Sequence, residues 1–138
     1  MLSITREFRF EAAHRLALAH LTDEENTDIF GPCARIHGHS YRLRVTLSGT
    51  TNACGWILNF SELKKIVYQY VLSEYDHACL NELDDYRNEI PTAENMAKTI
   101  FNRLQPHLQG PNYRLLRICV HETENAWASW EESHALCS

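Results

Sequence analysis

The 138-residue sequence predicts an α+β fold, an antiparallel sheet of four strands carrying two helices on one face. Three observations predict it. Period-two alternation occupies both ends of the chain, helical recurrence occupies the middle, and the order reads strand, strand, helix, helix, strand, strand. No internal repeat, low-complexity tract or long linker interrupts residues 1–138, so one domain is expected.

The first alternation, residues 3–14, sets Ile4, Phe8, Phe10, Ala12 and His14 on one parity and Thr5, Glu7, Arg9 and Glu11 on the other, as in a half-buried strand. Segment 20–32 is polar and turn-rich and reads as a loop. The second strand starts at His39 and continues through Tyr41, Leu43, Val45 and Leu47, opposite Ser40, Arg42, Arg44, Thr46 and Ser48. A turn around Thr50–Gly55 and a short extension over Trp56–Leu58 lead to Asn59. That residue can cap a helix, with Glu62 at the N3 place of a capping box. Phe60, Leu63, Val67, Tyr70 and Val71 supply the apolar face of this helix. Pro91-Thr92 opens a second helix, in which Met96, Ile100, Phe101 and Leu104 recur at helical spacing until Pro106 and Gly110 end it. Tyr113–Thr123 reads as a strand and Ala126–Trp130 as a short last one. The open edges of such a sheet invite pairing with other subunits.

Composition narrows the function classes. Hydrophobic residues make up 44% of the chain, enough for a small folded core. The formal charge is −5, with cations scattered among acids, which excludes a nucleic-acid-binding stripe and requires any anionic substrate to be met locally. No apolar run approaches the roughly 18–20 residues of a membrane span, and MLSITREFRF lacks the apolar core of a signal peptide. The cytoplasm is the expected compartment. The five cysteines, at 33, 54, 79, 119 and 137, form an odd set without a C-x-x-C pair and read as reduced thiols.

The stretch GPCARIHGHSYRLRV, residues 31–45, carries the chemistry. Side chains two apart in a strand share a face, so His37 and His39 point the same way, on the parity that continues into Tyr41 and Leu43. His14 also lies on its strand's apolar parity. Three imidazoles on buried faces are costly to desolvate without partners, and a shared metal supplies those partners. Three histidines with an open fourth position is the arrangement of a catalytic zinc. A lone buried histidine is more often satisfied by hydrogen bonds, and H-x-H also enters strands without metal or in cupin-type sites with a different third ligand. Cys33 precedes the pair. A nearby cation would favour its thiolate as base or nucleophile, while a fourth ligand or inert filler are the other readings. Asp76-His77, in EYDHACLN, suits either a turn or an oriented acid–base imidazole. Glu122 ends a parity made of Leu116, Ile118 and Val120. Its carboxylate there needs donors, which a ligand with two N–H groups, a basic side chain or backbone amides would provide.

These residues stand in a set of longer motifs: FRFEAAHRL (8–16), CARIHGHSY (33–41), GWILNFSELK (55–64), YDHACLN (75–81), PTAEN (91–95) and HET (121–123). In order and spacing they resemble the 6-pyruvoyltetrahydropterin synthase and 6-carboxytetrahydropterin synthase family over nearly the whole chain. The resemblance implies a tunnelling fold (T-fold), in which trimers close a twelve-stranded barrel and two trimers stack into a homohexamer. It implies zinc on His14, His37 and His39, and Cys33 as catalytic base. Asp76 and His77 would act as acid–base partners from a neighbouring subunit. Glu122 would anchor the pterin's amino-pyrimidinone edge, and Thr92 would contact the pterin. The implied substrate is 7,8-dihydroneopterin triphosphate.

Two features depart from the family pattern. Asn59-Phe60 replaces an expected Asp-Phe, a mild change because asparagine and aspartate are comparable N-caps. Three residues separate Cys33 from His37, resembling the carboxy-forming enzymes, whereas the pyruvoyl-forming enzymes resemble C-x5-H-G-H. The preceding LTDEENTDIFG, however, looks like the longer pyruvoyl-type insertion. Weighting the spacer gives 6-carboxytetrahydropterin and acetaldehyde, the queuosine-biosynthesis branch, as the expected products. 6-Pyruvoyltetrahydropterin is the alternative, and a pterin-binding protein without turnover the second. Cys33 together with Asp76-His77 favours an enzyme, because a binding module needs no acid–base set.

Overall fold

Along the chain the elements are β1 (Leu2–His14), α1 (Asp23–Phe30), β2 (His37–Gly49), α2 (Phe60–Val67), α3 (Ser73–Tyr75), β3 (Ala78–Cys79), α4 (Ala93–Leu104), β4 (Gln109–Gly110), β5 (Tyr113–Thr123) and β6 (Ala126–Glu131). They are seen in a computed structural model that describes residues 1–132, so Cys137 lies outside the described residues. The two N-terminal alternations become β1 and β2, paired antiparallel without a break from Leu2 opposite Gly49 to His14 opposite His37. Phe8, Phe10 and Ala12 thereby face Leu43, Tyr41 and His39 on one side of the sheet. A slip of one residue would turn this whole set to solvent, which fixes the register.

The sheet runs β3-β1-β2-β5-β4, with β6 also paired to β5. Its four long strands are the expected antiparallel ones. The two-residue strands β3 and β4 widen it, and β3 is parallel to β1, through Ala12 opposite Ala78 and Ala13 opposite Cys79. Two residues are too few to show alternation, so neither strand is legible in the sequence.

Helices cover one face. A π turn over Tyr68–Leu72 carries α2 on into α3, and Leu63, Val67 and Val71 from this run meet Met96, Ala97, Ile100, Phe101 and Leu104 of α4 above the sheet. Beneath them lie Phe8, Phe10, Tyr41, Leu43, Val45, Ile118 and Val120. Each fully buried large apolar side chain here contributes about 1.5–3 kcal/mol. No helix is long and apolar enough to cross a membrane among the described residues.

Local capping corrects two expectations. Segment 20–32 is not a plain loop, because α1 forms within it on a capping box: Thr22 Oγ1 accepts from Glu25 N at 3.1 Å, and Thr22 N donates to Glu25 Oε1 at 3.2 Å. Acids at 23, 24 and 25 also suit the positive end of the helix. Its only buried residue is Asn26, whose Oδ1 accepts from Leu18 N at 2.8 Å, so the helix lacks the apolar stripe that periodicity detects. At α2, Asn59 Oδ1 caps Ser61 N at 2.9 Å as expected, but Glu62 turns outward to Lys65 at 3.2 Å instead of closing a capping box.

Candidate functional site

The β1–β2 register builds the centre of the site. His14 and His37 face each other across the ladder, and His39 lies two residues along β2 on the same face. The ladder between β2 and β5 reaches only to Arg42 opposite His121. Glu122 is the next residue of β5 and lies on the face of Val120. One ligand atom from each of His14, His37, His39 and Glu122 lies within 4.8 Å of the others. Tyr41, fully buried and stacked on Phe10 at 4.9 Å, closes this group off from the core.

Hydrogen bonds set the imidazoles. A carbonyl oxygen only accepts, so His14 Nδ1 donates to Pro91 O at 2.8 Å and His37 Nδ1 donates to Arg35 O at 2.7 Å. Both rings therefore carry their free lone pair on Nε2, turned toward the shared space. His14 Nε2 and His39 Nε2 are buried without a hydrogen-bond partner. Glu122 Oε1 approaches them at 3.5 Å and 2.9 Å, without the alignment of a hydrogen bond. Burial pushes the pKa of His14 below the ordinary histidine value, against the Pro91 hydrogen bond and the charge of Glu122. The same cause lowers His39, again opposed by Glu122. Two neutral imidazoles with orphaned nitrogens beside a carboxylate fit a divalent cation taking nitrogen and oxygen donors.

The remaining predicted residues surround this group without joining it. Cys33 sits half-buried in the 3-10 turn Gly31–Ala34, where its carbonyl accepts from Leu16 N at 2.8 Å, and its thiol lies outside the four converging donors. Asp76 and His77 follow α3 at the β1 edge of the sheet. Asp76 Oδ1 accepts from Glu11 N at 2.9 Å and lies 3.0 Å from His77 Nδ1. The Glu11 N–H, ahead of His77, holds the Asp76 carboxyl below its usual range. His77 takes a positive φ of 63°, anchors its N–H on Glu11 O, and leaves its side chain 79% exposed. A groove of about 420 Å³ connects it with His39 across Gly38 and Ser40. Thr92 is the N-cap of α4, its Oγ1 accepting from Asn95 N at 3.2 Å. Glu122, read from the sequence as a substrate anchor, stands among the imidazoles.

Three contributors were not singled out by the sequence reading. The carbonyls of Pro91 and Arg35 orient the rings, and backbone acceptors leave no side-chain signal. Tyr41 places its hydroxyl 3.3 Å from His14 Nδ1, for which its shared parity with His39 was the available clue.

Residues 3–133 match the family described as 6-pyruvoyl tetrahydropterin synthase. The chain belongs to that family. It is 35% identical over 126 residues to human 6-pyruvoyl tetrahydrobiopterin synthase, covering 88% of this chain and 86% of that one. It is also 35% identical over 127 residues to 6-carboxy-5,6,7,8-tetrahydropterin synthase of Bacillus subtilis strain 168, covering 87% and 82%. The solved structure of Caenorhabditis elegans 6-pyruvoyl tetrahydropterin synthase superposes with a TM-score of 0.87 at 30% identity, covering 96% of each chain. The T-fold expected from the motifs is thus the fold of this member of the 6-pyruvoyl tetrahydropterin synthase family.

Proposed function

We propose that the chain is a zinc-dependent lyase that converts 7,8-dihydroneopterin triphosphate and water to 6-carboxy-5,6,7,8-tetrahydropterin, acetaldehyde and triphosphate. The observation that carries the reading is the convergence of His14, His37, His39 and Glu122 within 4.8 Å in a member of this family. His14, His37 and His39 would hold zinc, whose Lewis acidity, when bound, eases removal of protons beside a developing carbonyl. Cys33 takes such a proton. Asp76 orients His77, and the pair returns protons to the site of a neighbouring subunit, consistent with the exposure of both side chains. Glu122 receives the two N–H groups of the amino-pyrimidinone edge, and Thr92 contacts the ring from the start of α4. The exposed pair and the open sheet edges favour a homohexamer of two trimers, working in the cytoplasm on a small anionic pterin without nucleic acid or membrane.

Product choice rests on the spacer. Cys33 and Ala34 end a 3-10 turn, Arg35 is already extended with φ −92° and ψ 151°, and β2 starts at His37. This short return supports a thiol held close to the substrate side chain, as cleavage to a carboxylate requires. The second reading, 6-pyruvoyltetrahydropterin formed by elimination of triphosphate, is favoured by the pyruvoyl-type insertion, which folds as the capped helix α1.

Incubation of purified, zinc-loaded protein with dihydroneopterin triphosphate, followed by mass spectrometry, tests the reading. Equal yields of 6-carboxytetrahydropterin and trapped acetaldehyde are expected. The pyruvoyl compound without acetaldehyde would move the assignment to the second reading, and substrate binding without any product would leave a pterin-binding protein.

A further inference from the structure

Three of the four converging donors stand on laddered backbone and one does not. His14 pairs with His37 across β1 and β2, and His39 pairs with Ala12 two residues along the same ladder. Glu122 has no partner in either strand beside β5. The β2–β5 ladder ends at Arg42 opposite His121, and the β5–β6 register shifts at the same place, with His121 opposite Trp127 and Thr123 opposite Ala126. Glu122 is thus the extra residue of a β-bulge, which leaves it unpaired and re-aims its side chain. Its side chain is also 28% exposed, whereas His14 is fully buried.

The carboxylate meets the imidazoles at the spacing of a shared ion. Because His14 Nδ1 donates to Pro91 O, His14 Nε2 presents a lone pair to Glu122 Oε1 at 3.5 Å, and two acceptors facing each other need a cation between them. His39 Nε2 lies 2.9 Å from the same oxygen. A tetrahedral ion with bonds of ~2.0 Å holds its donors about 3.3 Å apart, a value that these two separations bracket. Among the described residues Glu122 has no arginine or lysine partner, so its charge, on the apolar parity of Ile118 and Val120, is matched by nothing but this group.

We propose that Glu122 is an exchangeable fourth ligand, which closes the metal site while no substrate is bound and leaves the metal when a substrate hydroxyl takes that position. The exchange breaks one metal–oxygen bond and makes another, and the released carboxylate turns to the two N–H groups of the ring. One carboxylate cannot serve the metal and the ring at once. The site therefore selects pterins whose side chain bears a hydroxyl that reaches the metal, and the proposal rests in this respect on the substrate reading given above.

Cobalt(II), loaded into EDTA-treated protein in place of zinc, reports its ligands through visible absorption. Azide is expected to enter the Glu122→Gln site at least about tenfold more tightly than the wild-type site, where it must displace the carboxylate. Glu124→Gln removes the same charge two residues further on and should leave azide affinity at the wild-type value. Zinc affinity should fall about tenfold in Glu122→Gln, well short of the loss in His37→Ala, because water fills the open position. 7,8-Dihydroneopterin, which has the hydroxyls but no leaving group, should shift the wild-type cobalt spectrum, and 6-methyl-7,8-dihydropterin should not. Equal azide affinity in the wild type and Glu122→Gln, or an equal gain in Glu124→Gln, would overturn the ligand. Zinc loss as large as in His37→Ala, or a spectrum unmoved by dihydroneopterin, would overturn the exchange. If dihydroneopterin shifts the spectrum but dihydroneopterin triphosphate yields no product, the substrate reading fails and the exchange stands.

Discussion

His37→Ala separates metal binding from folding. The ring is half-buried, and its one hydrogen bond, to Arg35 O, lies at the surface, so the metal-free protein should lose no more than about 1 kcal/mol. Metal binding should suffer far more. Structural zinc sites release about 10–16 kcal/mol over four ligands, or about 3 kcal/mol per ligand. One lost imidazole then weakens affinity about 100-fold, since each factor of ten is about 1.4 kcal/mol. With free zinc at about 100 times the wild-type Kd, mass action stabilises the wild type by about 2.7 kcal/mol and the variant by only about 0.4 kcal/mol. At about 4 °C per kcal/mol for a chain of this size, zinc should raise Tm by about 11 °C in the wild type and about 2 °C in His37→Ala. Scanning calorimetry after EDTA treatment, with and without added zinc, measures both increments, and elemental analysis gives the metal content. A variant that keeps the full zinc-dependent rise would refute the metal centre. His14→Ala is the informative contrast, because that ring is fully buried and bonded to Pro91 O, so its loss should also lower the metal-free Tm.

Burial holds His14 and His39 below the ordinary value of 6.5, so just under that pH the native chain binds fewer protons than the unfolded one. Metal-free stability should therefore fall as the pH drops through 6.5, by at most about 1.4 kcal/mol per pH unit for each ring, and a urea midpoint unchanged between pH 7.5 and 5.5 would contradict this. Cys33→Ala should abolish turnover yet retain zinc and pterin, because the bond from Leu16 N reaches the Cys33 backbone and survives the substitution. Glu122→Ala should chiefly weaken pterin binding in a fluorescence titration. Zinc loss as large as in His37→Ala would make that carboxylate a ligand instead of an anchor.

By itself the sequence determined the elements that local backbone geometry controls. Alternation placed His14, His37 and His39 on core-facing parities because successive strand side chains point to opposite faces, and helical spacing placed Leu63, Met96 and Ile100 over the sheet. The motifs in their order carried the family, and with it the T-fold. The T-x-x-E box at Thr22–Glu25 was equally local, but it marks a helix held by caps and by Asn26 and not by an apolar stripe, so periodicity passes over it. Tertiary structure decided the rest, because it depends on pairings between distant segments. Only the β1–β2 register sets His14 against His37, and only the course of β5 beyond its last residue paired with β2, His121, brings Glu122 to His39. Pro91 O reaches His14 across 77 positions, a backbone contact that no residue type encodes. Asp76 and His77 stand apart from the four converging donors because the backbone N–H and carbonyl of Glu11 in β1 hold their turn. The chain's pattern of side chains fixes which groups can meet, and the non-local ladder fixes which of them do.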